Sequence, residues 1–389
     1  MHICDLTTLY IDGGAGGVNT YLTEKARYLT EHHGTYRHTI IVPGRENATQ
    51  SLFGSTIHTL RSPRFAYNPH HRVMTTFRQI KQLIRDLQPD LIEVDCVYFL
   101  AHVAATAMHK KVPLVGFYHT HLPSFYARAL TQRFGNTTSR LIESWAWTYV
   151  DYCMKPLDKI LVASNDIYER LIKHTDKKIE QLPLGVNLHL FRPSRAPMTS
   201  CHRRRPVILY VGRLSQEKDL DILFEAFRLL NQQGSYQFQI VGDGPLRKKT
   251  EKFIRAMPDA SYIGLIPYGK RLAELYASAD VLAMPSRNET FGLAVLEALA
   301  SGIPVVAIRQ GGPTNLLHPR VGALAAPGDP QDFAEKLSHV LAEKAISQHC
   351  RTYVEQHFSW EKTFARLLDI YENMLETISP TRRLTPMED

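Results

Sequence analysis

A chain of 389 residues with 44% hydrophobic and 22% charged residues, and no low-complexity tract, reads as a folded globular protein of two or three domains. The start, MHICDLTTLYIDGG, shows no basic region ahead of an apolar core, and no eighteen apolar residues run together, so neither a signal peptide nor a membrane-spanning helix is expected. The five cysteines (Cys4, Cys96, Cys153, Cys201, Cys350) are scattered without a CxxC pair, which argues against a disulfide framework or zinc site and for a cytosolic protein. The net charge of +8 is uneven: residues 1–195 hold 23 Lys and Arg against 16 Asp and Glu, the remainder 23 against 22. That surplus suits an anionic substrate or membrane surface, or is simply a solvated face. With no reading motif or basic aromatic groove, a nucleic-acid partner is not expected.

In chain order, strand-like runs at His2 to Leu9, His38 to Pro43, Leu91 to Val94, Leu114 to His119 and Lys159 to Ala163 alternate with amphipathic stretches such as Asn19 to Glu31 and Val73 to Leu87. The second half repeats the scheme. Strands are expected at Pro206 to Val211, Phe238 to Gly242, Val281 to Pro285 and Pro304 to Ile308, and helices at Leu220 to Asn231, Leu246 to Ala256, Lys270 to Ala277 and Leu293 to Ala300. Such alternation predicts two doubly wound α/β domains. FRPSRAPMTSCHRRR, residues 191–205, reads as the linker between domains 1–195 and 196–357. Apolar residues recur at helical spacing from Phe358 to Leu375 behind Ser359, predicting a tail helix over 358–377 that completes the first domain. Residues 378–389 read as a flexible tail.

The segment 288–307, NETFGLAVLEALASGIPVVA, keeps two carboxylates, Glu289 and Glu297, in apolar company. Glu289 falls in the loop at the carboxyl end of a strand, where open α/β sheets bind ligands, and Glu297 one to two turns into the next helix. The free amides around Phe291, Gly292 and Leu293 present the positive end of a helix dipole, and Gly292 lets a ligand approach the backbone. A diphosphate could sit there between two carboxylates that accept hydrogen bonds from sugar hydroxyls.

The Glu-x7-Glu pattern with Phe-Gly at its centre, VGRLSQEKDLD at 211–221, VGDGP at 241–245 and IRQGGP at 308–313 together resemble the retaining, nucleotide-sugar-dependent glycosyltransferases of family 4, whose fold is GT-B. The resemblance covers nearly the whole chain and is strongest from 206 to 325. It implies two Rossmann-like domains facing across a cleft, the first for the acceptor and the second for a nucleoside-diphosphate sugar. By the same resemblance Glu297 meets the ribose, Glu289 the donor sugar, and Phe291, Gly292 and Leu293 the sugar and phosphate through their amides. Arg213 and Lys218 grip the diphosphate, Gly242 belongs to the donor site, and Arg287 and IRQGGP line it. Independent physics supports the two cations: a departing diphosphate builds negative charge, and losing one preorganised donor costs roughly 3 to 4 kcal/mol.

In the first half, GGAGGVNTY at 13–21 brings Gly16 and Gly17 between the first strand and first helix, beside the donor phosphates if the fold is GT-B. FYHTHLPSFYARAL at 117–130 ends a strand at His119, which by the resemblance lies close to the transferred sugar. A metal pair of His119 with His121 lacks a third ligand, so no metal and no cofactor are expected. YHTHLP also resembles the branch that glycosylates membrane lipids, and the aromatic and basic residues that follow it (Phe125, Tyr126, Arg128, Arg133, Phe134) suit either an anionic bilayer or a core helix. Asp219 and Asp221 form a DxD, but at a helix start, where acids favour the dipole, so they read as capping. LPLGVN at 182–187 departs from the family's interdomain loop at Leu184 and Asn187, which puts a role for that loop in doubt. The expected function is thus a retaining transfer of a hexose from a UDP- or GDP-sugar to a hydroxyl acceptor, including a glycolipid or diacylglycerol. The alternatives are a GT-B epimerase or a non-catalytic nucleotide-sugar-binding protein.

Overall fold

A computed structural model describes residues 1–11, 16–31, 35–65, 68–95, 99–109, 111–119, 136–194 and 205–383. The chain divides into two compact units, Met1–Pro183 with Trp360–Asp389, and Leu184–Ser359.

In the first unit, strands β1 (His2–Leu6), β2 (Arg37–Gly44), β3 (Ala48–Leu52), β4 (Ser55–Arg61), β7 (Leu91–Asp95), β8 (Leu114–Phe117), β9 (Lys159–Val162) and β10 (Lys178–Gln181) form one sheet. Its order is β10-β9-β8-β7-β1-β2-β4-β3. Every pairing is parallel except β3 with β4, and a separate antiparallel pair joins β5 (Arg64–Phe65) to β6 (Asn68–Arg72). Helices α1 (Gly17–Glu31), α2 (Phe77–Leu87), α3 (Leu100–Ala107), α4 (Asn136–Met154) and α5 (Asn165–Leu171) complete the βα alternation. On one side Ile80 and Ile84 of α2 and Ala101 and Ala104 of α3 pack with Ile92, Val94 and Leu114 of the sheet, the two-sided burial that makes parallel strands near-continuously apolar.

This sheet also buries charge. Lys25 of α1 donates to Asp5 of β1 at 2.7 Å and lies 3.5 Å from Glu93 of β7, while His38 of β2 bonds the other oxygen of Asp5 at 2.9 Å. Burial pushes the Asp5 carboxyl up, but Lys25 and His38 outweigh it and hold the group below its ordinary value; Glu93 is raised, burial outweighing Lys25. The final helix, α13 (Trp360–Arg383; α6 to α12 lie in the second unit), joins the same network. Its Tyr371 hydroxyl donates to Glu93 and accepts from Lys25 at 2.8 Å, and Trp360 and Phe364 pack on Tyr21. The tail helix runs through Arg383, past the expected limit at 377, and residues 384–389 lie outside the described residues.

The second unit holds a six-stranded, all-parallel sheet ordered β13-β12-β11-β14-β15-β16, built from β11 (Val207–Val211), β12 (Gln237–Val241), β13 (Ala260–Gly264), β14 (Val281–Met284), β15 (Val305–Ile308) and β16 (Gly322–Ala325). Its helices are α6 (Leu220–Gln233), α7 (Arg247–Ala256), α8 (Lys270–Ser278), α9 (Leu293–Ala300), α10 (Pro313–Leu316), α11 (Pro330–Ala342) and α12 (Lys344–His357). The division falls at Pro183, earlier than the basic stretch 191–205 suggests. Phe191 is fully buried against Tyr268 and Tyr276, and the Arg351 guanidinium donates to the carbonyls of Leu188 and Phe191, so this segment packs as part of the second unit. Asn187, in the departing LPLGVN motif, accepts from the His189 and Leu190 amides and closes a local turn. Residues 195–204 lie outside the described residues.

Candidate active site

In the second unit β11 lies between β12 and β14, so successive connections leave it in opposite directions, and the carboxyl ends of β11 and β14 flank the point where open α/β sheets form a crevice. Past β11 come Gly212 and Arg213; past β14 comes the loop through Glu289 that leads into α9; past β15 come Gly311 and Gly312. Three expected site segments therefore share one edge of one sheet.

Glu289 and Lys218 meet there in an ion pair. Lys218 belongs to a single 3-10 turn, Gln216–Lys218, ahead of α6 rather than opening that helix. Arg213 is half-buried and has no ion pair among the described residues, so its charge is available to a ligand. Beside it the Tyr210 hydroxyl donates to the Arg213 carbonyl at 2.9 Å. Burial, then the Glu289 and Glu217 charges, hold that phenol well above its ordinary value.

Gly292 precedes α9 with φ of 106°, a conformation that excludes most side chains, and the first helical bond runs from the Val295 amide to the Gly292 carbonyl at 2.9 Å. The amides of Leu293 and Ala294 accordingly lack carbonyl acceptors within the helix, the open positive end that accepts an anion. Phe291 is buried and fixes the loop. The two glycines of IRQGGP act through the backbone: the Gly312 amide donates to the Glu289 carbonyl at 2.7 Å, and a Cβ at Gly312 would lie 2.5 Å from Phe291 Cα. Gly242 serves in the same manner, with φ of 138° and a position whose Cβ would lie 1.8 Å from the Gly212 carbonyl oxygen, so the turn that carries Arg213 needs it.

Glu297, within α9, is buried and accepts a 2.8 Å hydrogen bond from Tyr276 of α8. Burial raises its carboxyl to about 7, against the opposing pull of that bond. Hydrogen bonds donated to its ionised form would lower that value.

One expectation is corrected. Asp219 does not cap: it stands in the left-handed region with φ of 49°, makes no capping bond, and its carboxylate grips Arg287 at 2.8 and 2.9 Å. Arg287 is thereby committed to fixing the loop ahead of Glu289. Asp221 does occupy the first turn of α6, paired with Lys249. No motif points to Tyr276 or to Asn288, which precedes Glu289 and whose enclosed Nδ2 has no hydrogen-bond partner among the described residues.

In the first unit His119 follows β8, its ring stacked on Phe117 at 4.2 Å and tilted against Tyr21 at 5.2 Å. Burial, then the Lys25 charge, lowers its imidazole to about 3, so it is neutral at any physiological pH. Asp95 ends β7, accepts from the Thr7 hydroxyl and the Thr8 amide, and is raised by burial to about 7. Gly16, with φ of 144°, precedes α1, which begins at Gly17. Residues 12–15, His121 and the aromatic and basic segment to residue 134 lie outside the described residues. Among the described residues no cluster of three or more metal-ligating side chains occurs, and no helix is long and apolar enough to cross a membrane.

Two family models match consecutive parts of the chain: Glycosyltransferase Family 4 over residues 15–190 and Glycosyl transferases group 1 over residues 201–357. A GDP-mannose-dependent alpha-mannosyltransferase from Mycobacterium tuberculosis is 32% identical over 78% of both chains. The chain is a family-4 glycosyltransferase. It is also similar to the Arabidopsis thaliana sulfoquinovosyl transferase, 30% identical over 78% of this glycosyltransferase but only 60% of the plant protein. A GDP-mannose-dependent alpha-(1-6)-phosphatidylinositol dimannoside mannosyltransferase of M. tuberculosis is 26% identical over 91% and 92% of the two chains. Among solved structures, a sucrose-phosphate synthase from Thermosynechococcus elongatus matches with a TM-score of 0.77 over 97% of this chain and 100% of that one, at 21% identity. The fold of this glycosyltransferase is GT-B, as the motifs implied, and its chemistry is sugar transfer from nucleoside-diphosphate sugars.

Proposed function

We propose that this glycosyltransferase moves a hexose, with retention of anomeric configuration, from a UDP- or GDP-sugar to a hydroxyl of a membrane lipid such as a glycolipid or diacylglycerol. The observation that carries the donor half is the Lys218–Glu289 pair set before the open amides of α9, with buried Glu297 behind it. In this reading Glu297 accepts from the ribose and Glu289 from the sugar, while Asn288 offers its enclosed amide to the same ligand. The acceptor oxygen attacks the anomeric carbon on the face the phosphate leaves; the carbon–oxygen bond to phosphate breaks, and the acceptor's proton passes to the departing phosphate. Arg213, Lys218 and the helix amides offset the developing charge, so neither a metal nor a cofactor is needed.

Support for a lipid acceptor comes from the phosphatidylinositol-linked acceptor named for the mycobacterial relative, and from the surface of the first unit. Trp145, Tyr149 and Tyr152 follow one face of α4, with Trp145 79% exposed, and Phe99, His102 and Tyr152 stack in a row with Phe77 beside them. Lys155 lies over Tyr152, and Arg78 and Lys81 belong to the adjoining α2. Aromatic rings among cations suit the interface of an anionic bilayer, making the enzyme a peripheral protein of the cytoplasmic membrane face.

The test is transfer from UDP-glucose, UDP-galactose and GDP-mannose to diacylglycerol and phosphatidylinositol in mixed micelles, with NMR of the product. One donor should give an α-linked glycolipid without added metal, and Glu289→Gln should remove turnover while leaving nucleotide binding intact. An isomerised nucleotide sugar without glycoside, or an inverted product, would overturn the reading.

A further inference from the structure

Away from the residues already described, the first unit carries a charged cavity. It has a volume of about 440 Å³, lies where β2 and β4 end, and is lined by Arg45, Arg61, Ser62, Pro63 and Arg72. Three arginines face one space whose volume is in the range of small-molecule sites. Outside the lining, Arg64 of β5 stands directly opposite Arg72 of β6. Like charges facing each other across a strand pair are destabilising, and from residue 44 to residue 76 Glu46 is the only acid in the sequence. None of Arg61, Arg64 and Arg72 has an ion pair among the described residues.

The local fold holds this arrangement in place. The Arg72 Nη1 donates to the Ser62 carbonyl at 2.7 Å, tying β6 to the end of β4, and the Ser62 amide donates to the Gly44 carbonyl at 3.0 Å, tying β4 to the end of β2. Asn47 takes the Arg61 amide at 2.7 Å. Arg72 is half-buried, and its remaining donors are directed by that anchor. The cavity also lies on the carboxyl edge of the unit's sheet, the edge from which Thr7, Asp95 and His119 project. Planar guanidinium forks match phosphate oxygens two at a time, which point charges do not.

We propose that the Arg45–Arg61–Arg72 cavity is a phosphate-binding site that takes the phosphate monoester or diester of the acceptor. The acceptor role rests on the transfer reading above; phosphate binding does not. Two sources share this chemistry, the headgroup of a phospholipid and a soluble phosphorylated molecule.

The experiment uses the full chain and three probes: sn-glycerol 3-phosphate, vesicles of phosphatidylcholine alone, and vesicles of phosphatidylcholine mixed with phosphatidylglycerol. Calorimetry measures the first and co-sedimentation the others. Arg61→Gln is the primary variant, since its side chain anchors no strand; Arg72→Gln, which also loses the bond to Ser62, is secondary and is read with a thermal midpoint. Lys218→Gln reports phosphate binding at the donor site. Arg61→Gln should weaken binding about tenfold or more, with Lys218→Gln close to wild type and Arg61→Lys intermediate because it keeps the charge but loses the fork. Loss confined to glycerol phosphate assigns a soluble source, and loss confined to the phosphatidylglycerol vesicles assigns a headgroup. Equal binding by wild type and Arg61→Gln in every arm overturns the site. Failure of the transfer reading shows separately, as absence of nucleotide binding while the Arg61-dependent response persists.

Discussion

At the residue scale the site turns on one buried carboxyl. Glu297 has a native value of about 7 against 4.5 for an ordinary glutamate, so between those limits the folded protein holds the proton more tightly than the unfolded chain. Its contribution to stability is fully present below pH 4.5 and is lost as pH rises through 7, on the order of 3 kcal/mol at most. Glu297→Gln should therefore flatten that part of the pH profile of the ligand-free protein, in chemical denaturation run from pH 4.5 to 8. An unchanged slope would show that burial does not govern this group. Nucleotide binding has the opposite sign. Ribose hydroxyls donate to the ionised form, so affinity should fall below pH 7 by up to about tenfold per unit, with proton release seen as a buffer-dependent binding enthalpy.

Element packing explains which motifs were legible. The strand ends and helix starts around Arg213, Glu289 and Gly292 follow from β-branched runs, helical spacing and a glycine ahead of Leu293, and the structure places α9 over the expected residues. IRQGGP was legible as a motif but not in its action, because only the fold brings its two glycines against the Glu289–Phe291 backbone. Gly312→Ala should displace that loop and reduce nucleotide affinity at least tenfold, with a smaller effect on overall stability; calorimetry of binding beside a thermal melt separates the two. The antiparallel addition of β3 to β4 and the pairing of β5 with β6 carry no alternating apolar signal, since both are short and polar. So did the charges beneath them: Asp5, Lys25 and Glu93 each look like ordinary surface residues in sequence, and only their convergence from β1, α1 and β7 makes them a core network. Tyr371→Phe, which removes one donor from buried Glu93, should cost about 1 to 3 kcal/mol in denaturant titration, and Lys25→Met about 3 to 5. Losses below 0.5 kcal/mol in both would show that α13 is held by its apolar face alone.

For the whole molecule, two units divide the work. The second carries the proposed donor constellation; the first carries neutral His119, the arginine cavity and the aromatic face of α4. The basic, proline-bearing stretch 191–205 reads as a linker, yet its first residue, Phe191, is buried and Arg351 is bound to its carbonyl, so the second compact unit already begins at Leu184. If α4 meets a bilayer, replacing Trp145, Tyr149 and Tyr152 together by serine should abolish co-sedimentation with anionic vesicles without lowering nucleotide affinity. Retained sedimentation would move the membrane contact elsewhere.

The most direct measurement is a thermal-shift panel of the purified protein with UDP, GDP and ADP and their common sugars, repeated for Glu297→Ala and Lys218→Gln. A nucleotide at a hundred times its dissociation constant stabilises the folded state by about 2.7 kcal/mol, a readable shift. The expected result is one nucleotide class that shifts the wild type and fails to shift either variant. A shift of equal size in all three proteins would contradict a donor site built from Lys218, Glu289 and Glu297.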